Sequence, residues 1–164
     1  MFGEVLFTEK ENSLLLEILV DADASPVKQE VYRVARRYGL KVTLVANSPM
    51  DIPDEDWLKL VVVNDQLDAA DDWIVDHVAK NDIVITGDIL LASRCLKRGA
   101  RVLGFKGDIF TEGSIGNALA TRDLMAHLRE LGMDTGGPAP FEKRDRSRFL
   151  QSLDSIVQAI LKGK

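Results

Sequence analysis

The stretch Glu17-Ile18-Leu19-Val20-Asp21-Ala22-Asp23-Ala24-Ser25-Pro26-Val27-Lys28 decides the fold. A short Ile/Leu/Val run ends in an acid, turns through small residues, and opens after Ser25-Pro26 into a helical pattern over Val27 to Tyr38 that closes at Gly39. A strand of that composition must be covered on both faces, which a parallel sheet with crossover helices provides. The same kind of run recurs, so that Leu15 to Val20, Lys41 to Ala46, Leu60 to Val63, Ile83 to Thr86 and Arg101 to Phe105 predict five strands. Helical patterns follow at Ala69 to Ala79 and at Leu90 to Arg98, the second closed by Gly99, whereas Asn47 to Lys59 shows no clear helix. Beyond the last strand, Ile115 to Leu131 and Arg144 to Leu161 read as longer helices separated by the loop Thr135-Gly136-Gly137-Pro138-Ala139-Pro140. The expected architecture is a single-domain α/β fold: an open, parallel, five-stranded sheet with crossover helices and extra C-terminal helices.

Length and composition set the bounds of function. At 164 residues, with 46% hydrophobic and 29% charged side chains, the chain suits one hydrophobic core and excludes disordered, collagen-like and disulfide-rich classes. The lone Cys95 cannot form an internal disulfide, and the apolar run around Leu14-Leu15-Leu16 is broken by Glu17, so we expect a cytoplasmic protein with no membrane anchor. A net charge of −5 argues against nonspecific duplex binding by charge alone. Its distribution is uneven: Asp51 to Asp88 holds eleven acids against Lys59 and Lys80, while Arg94, Lys97, Arg98, Arg101 and Lys106 form an acid-free basic stretch.

In an open parallel sheet, ligands bind outside the carboxyl ends of the strands. The residues placed there are Asp21 and Asp23 after the first strand, Asn47 and Ser48 after the second, Asn64 and Asp65 after the third, and Gly87 and Asp88 after the fourth. On the third crossover helix, Leu67, Ala70, Ile74, Val75 and Val78 make one apolar stripe, and Asp71 falls inside it, with Asp68 at the margin, Asp72 further round and Asp76 toward solvent. Like charges gathered this closely repel unless a cation holds them. Asp21, Asp23, Asp71, Asp72 and Asp88 therefore form a candidate metal site, whose oxygen ligands suit Mg²⁺ or Mn²⁺ over zinc; His77, His127 and Cys95 are too scattered for a zinc set.

Five motifs carry a resemblance: Asp21-Ala22-Asp23-Ala24-Ser25-Pro26-Val27-Lys28, Ala46-Asn47-Ser48-Pro49, Asp68-Ala69-Ala70-Asp71-Asp72-Trp73-Ile74, Asp82-Ile83-Val84-Ile85-Thr86-Gly87-Asp88, and Gly136-Gly137-Pro138-Ala139-Pro140-Phe141 with Arg144-Asp145-Arg146-Ser147-Arg148-Phe149. Over about residues 16 to 157 the chain resembles the YaiI/YqxD family of uncharacterised bacterial proteins, and more widely it is similar to PIN-like nucleases, including the NYN group. The wider likeness implies a sheet order of 3-2-1-4-5 and a Mg²⁺ or Mn²⁺ site at Asp21, Asp71, Asp72 and Asp88, assisted by Asp23, that hydrolyses RNA phosphodiesters. The chain departs from these patterns at Ser25, Leu90 and Ala92, where the family cysteine, a proline and a further acid would stand.

Two other readings compete. Ile18-Leu19-Val20-Asp21-Ala22-Asp23 also looks like the first motif of haloacid-dehalogenase-type phosphatases, with Asp21 as nucleophile and Asp23 as acid/base. A non-catalytic RNA-binding module would instead use Arg144, Arg146 and Arg148 on phosphate, or leave them as ion pairs and packing for the last helix. Lys28, Asn47 and Ser48 are further candidate RNA contacts, although Asn47-Ser48-Pro49 also reads as an ordinary turn. Trp57 and Trp73 could stack on bases or pack at the rim of the core.

Overall fold

The computed structural model describes residues 16–137 and 139–163. Leu14, Leu15 and Pro138 of the motifs above lie outside the described residues. The elements run β1 (Glu17–Asp21), α1 (Lys28–Tyr38), β2 (Lys41–Ala46), β3 (Leu58–Val62), α2 (Ala69–His77), β4 (Ile83–Ile85), α3 (Ile89–Lys97), β5 (Arg101–Leu103), β6 (Ile109–Phe110), α4 (Glu112–Glu130) and α5 (Lys143–Leu161). The sheet order is β3-β2-β1-β4-β5-β6.

The sheet has six strands and is mixed, which corrects the expectation of five parallel strands. β1 to β5 pair in parallel, but Val102 and Leu103 of β5 also pair antiparallel with Phe110 and Ile109 of β6. A two-residue strand carries too little pattern to be read from sequence, and it returns from β5 through a tight turn at Gly107 (φ 90°). There a Cβ would sit 2.9 Å from the backbone of Arg148, so the glycine also lets α5 approach the turn. Ser152 Oγ donates to the Gly107 carbonyl at 3.0 Å and fastens the same contact.

Alternation along the strands divides the core into two layers. Ile18 and Val20 of β1, with Val42 and Leu44 of β2, face α1 and α5, where Val31, Tyr32, Phe149, Leu153 and Val157 are buried. Leu19, Val45, Val84 and Val102 face the other way, onto Ala70, Ile74 and Val75 of α2 and Leu91, Ala92, Cys95 and Leu96 of α3. Strands covered on both sides thus explain the unbroken apolar runs. α1 ends where Gly39 takes the left-handed conformation (φ 67°). Between β2 and β3 the chain forms no helix, as expected.

The chain leaves β1 toward β2 and β3, then returns across it to β4. The direction of winding therefore reverses between β1 and β4, and the crevice outside their carboxyl ends is the switch point where such sheets bind ligands. No helix among the described residues is long and apolar enough to cross a membrane.

Candidate functional site at the switch point of the sheet

Asp21 ends β1, and Asp88 follows β4 as the N-cap of α3. Thr86, fully buried between them, ties the two strand ends together: its Oγ1 donates to Asp21 Oδ2 at 2.9 Å and accepts the Asp88 N–H at 3.0 Å. Asp88 Oδ1 accepts the Leu90 and Leu91 N–H groups at 2.9 and 3.3 Å, so one carboxylate caps the helix while it faces the crevice. Asp71 comes in from the first turn of α2.

The three acids lie within each other's field. Burial raises the Asp21 carboxyl above its ordinary range, the Thr86 hydrogen bond opposes this, and the charges of Asp88 and Asp23 add to the rise. Asp71 is pushed up to about 6, first by burial and then by the charges of Asp88, Asp21 and Asp68; a hydrogen bond to Asp88, which only the protonated acid can donate, acts in the same direction.

Beside these acids opens a cleft of about 440 Å³ lined by Asp68, Asp71, Asp88, Leu90, Ser93, Arg94, Lys97 and Leu119. Its acidic end is thus faced by a basic one. Asp68 precedes α2 in the left-handed conformation (φ 67°), which an Asp tolerates better than most residues. In the sequence Asp68 falls at the margin of the α2 stripe, and Arg94 and Lys97 stand in the basic stretch without being assigned to the site. The available signal was spacing: Leu90, Arg94 and Lys97 recur at intervals of four and three, which aligns them on the side of α3 that begins at Asp88.

Other expected site residues lie at the rim of the cluster or beyond it. Asp72 is 60% exposed and pairs with Arg94 at 2.9 Å, at the rim. Asp23 is exposed, its Oδ2 accepting the Asn47 N–H at 2.9 Å, while Asn47 Nδ2 donates to the Asn64 carbonyl. Ser48 is exposed in the same turn, and Lys28 Nζ donates to the Ser25 carbonyl at 3.2 Å. These contacts place Asn47 in the turn after β2 and Lys28 at the start of α1. Leu67, expected in the inward stripe of α2, is 92% exposed, because it precedes the helix and does not follow its periodicity.

The three arginines of α5 are separated by their partners. Arg144 pairs with Glu142 at 2.7 Å, Arg148 with Asp108 at 3.5 Å, and Arg146 with Glu30 at 2.9 Å, where it also donates to the Pro26 carbonyl and lies over the Phe141 ring. α5 packs on the opposite face of the sheet from α2 and α3. Trp57 packs edge-on to Tyr32 under Arg36, and Trp73 stacks on His77. Burial pushes the Cys95 thiol up to about 12, which leaves it inert as a nucleophile.

The donor chemistry of Asp21, Asp71 and Asp88, carboxylate oxygen throughout, fits a hard divalent cation, and the mutual repulsion at Asp71 is what such an ion relieves. As the side chains stand, no group of three or more His, Cys, Asp or Glu among the described residues is arranged to hold a metal ion. The acids converge without forming a ready coordination shell.

A family model described as "Uncharacterized BCR, YaiI/YqxD family" matches residues 19–159. Similar proteins include a UPF0178 protein of Rhodospirillum rubrum, 51% identical over 91% of this chain and 100% of its own length. A UPF0178 protein of Sphingopyxis alaskensis is 54% identical over 89% of this chain and 96% of its own, and one of Brucella ovis is 56% identical over 85% and 88%. No solved structure matches the chain.

Proposed function

The chain belongs to the YaiI/YqxD family, and we propose that it is a metal-dependent nuclease of PIN-like type that hydrolyses phosphodiesters, with RNA as substrate. The observation that carries this reading is the meeting of Asp21, Asp71 and Asp88 at the switch point, beside a cleft lined by Asp71, Asp88, Arg94 and Lys97. Asp21, Asp71 and Asp88 would hold Mg²⁺ or Mn²⁺, with Asp68 and Asp23 flanking. Bound there, the ion would supply neutralisation of phosphate charge and a more acidic water.

The protein's own groups divide the remaining work. Thr86 holds Asp21 in place through its hydroxyl, and the capping bonds to Leu90 and Leu91 fix Asp88. Arg94 and Lys97 would take the phosphates flanking the scissile one, since a guanidinium and an ammonium beside a carboxylate cluster offset the repulsion between acids and polyanion. The α5 arginines belong to the helix on the opposite face of the sheet from α2 and α3, which favours this reading over an RNA-binding module built on Arg144, Arg146 and Arg148.

Calorimetric titration of Mn²⁺ into the wild type and Asp88→Asn tests the proposal, because the amide of that variant keeps a capping oxygen while removing the charge. We expect millimolar or tighter binding that the variant loses, with hydrolysis of single-stranded RNA falling at least about 100-fold. Replacing Arg94 and Lys97 together by Ala should raise KM about tenfold and leave kcat near the wild-type value. Absence of Mn²⁺ binding to the wild type, with and without nucleotide, overturns the reading.

A further inference from the structure

Gly87 stands between Thr86 and Asp88, in the turn that ties the two strand-end acids together, and its φ is not positive, so the backbone conformation does not call for glycine there. Its surroundings do. A Cβ at Gly87 would sit 3.0 Å from Cε2 and 3.2 Å from Cδ2 of Phe105, tight enough that the ring would have to give by a few tenths of an ångström. The edge of the Phe105 ring thus rests on the backbone of the turn.

Strand register brings the pair together. β4 and β5 run parallel with Ile85 opposite Leu103, and both side chains face the core layer beneath α1 and α5. With a period of two, the next positions on that face are Gly87 and Phe105, just beyond the strand ends. By the same alternation Asp21 and Thr86 share the α2/α3 face with Leu19 and Val84. The turn therefore presents its polar groups on one face of the sheet and is backed by an aromatic ring on the other.

Phe105 is itself held. It is half-buried, packed against the α1/α5 core layer, and it belongs to the turn between β5 and β6. In that turn the Gly104 N–H donates to the Asp108 carbonyl at 2.8 Å and the Gly107 N–H to the Gly104 carbonyl at 3.1 Å, while Ser152 of α5 fastens the Gly107 carbonyl. A ring on an anchored turn is a fixed stop for the backbone it touches, which is how a supporting shell keeps a site in register. Support runs from α5 through the Gly107 turn to Phe105, from Phe105 to Gly87, and from there to Asp88 and, through Thr86, to Asp21.

We propose that Phe105 is a positioning residue of the acidic site: its ring, seated on Gly87, holds the Thr86-Gly87-Asp88 turn in the arrangement that gives Thr86 Oγ1 both the Asp21 carboxylate and the Asp88 N–H. Its effect on hydrolysis rests on the nuclease reading; its effect on the turn does not.

The test uses size complementarity. Phe105→Leu leaves a gap over Gly87, Gly87→Ala drives a methyl group into the ring, and the double variant puts that methyl group into the space the ring vacates. Amide hydrogen exchange, followed residue by residue by NMR in the metal-free full chain, reads the turn through the Asp88 N–H, bonded to Thr86 Oγ1, and the Leu91 N–H, bonded to Asp88 Oδ1. Each single variant should lose at least about tenfold in protection at these amides and little in β1 and β2, and the double variant should regain most of it. On single-stranded RNA with Mn²⁺, each single variant should lower kcat about tenfold with KM near the wild-type value, and the double variant should recover. Unchanged protection in both single variants, an equal loss in β1 and β2, a double variant no better than the weaker single one, or an active wild type whose kcat survives both single substitutions overturns the proposal. A wild type that neither binds Mn²⁺ nor cleaves RNA overturns the nuclease reading instead, and the exchange pattern alone then decides whether Phe105 holds the turn.

Discussion

Asp71→Asn should make the protein more stable. The carboxyl of Asp71 has a folded-state value of about 6 against an ordinary 3.8, so between these values the folded chain binds a proton that the unfolded chain does not. Folding is therefore penalised by the Asp71 charge above about pH 6, and the penalty fades as pH falls toward the ordinary value. A two-unit shift corresponds to about 3 kcal/mol for a fully buried group. Asp71 is only half-buried, and solvent screening brings the expected gain to about 1 kcal/mol. An amide at this position carries no charge and can still donate to Asp88. Thermal denaturation at about pH 7.5 should then show a midpoint about 3 °C above the wild type, and the difference should vanish near pH 4. Added Mn²⁺ should raise the wild-type midpoint and leave the variant's unchanged. A variant equal to or less stable than the wild type at pH 7.5 would refute the claim that repulsion and burial strain this carboxyl.

Two further outcomes follow from the packing. Asp88→Ala should cost about 1 kcal/mol of stability through loss of the cap on α3, while Asp88→Asn should stay within about 0.5 kcal/mol, measured by urea denaturation; equal losses would mean that the cap contributes little. Gly107→Val should destabilise by about 2–3 kcal/mol, since it combines a positive φ with a Cβ driven onto the Arg148 backbone, and a loss below about 1 kcal/mol would show that α5 can shift away.

Much of the site was legible because strand ends in a parallel sheet are marked in the chain. The apolar runs before Asp21 and Asp88 place both acids at the carboxyl edge, and the helical period places Asp71 inward, toward them. Asp72 shows the limit of such periodicity: one residue further round the helix, it points to Arg94 and leaves the cluster. Arg94 and Lys97 were visible as basic residues, but their facing Asp71 and Asp88 depends on how α3 lies against α2.

The α5 arginines and β6 mark the same boundary from the other side. Spacing shows that Arg144, Arg146 and Arg148 cannot all share one face, but only the packing of α5 beside α1 and the Gly107 turn supplies Glu30 and Asp108 as partners. β6 exists because Ile109 and Phe110 find β5, and two residues form a strand only when a neighbour holds their hydrogen bonds. The sequence by itself determined what is local: strand composition, helix period, caps, and the acids that follow each strand. Tertiary structure alone decided which charges meet, because attraction and repulsion between side chains depend on distances set by how elements far apart in the chain pack together.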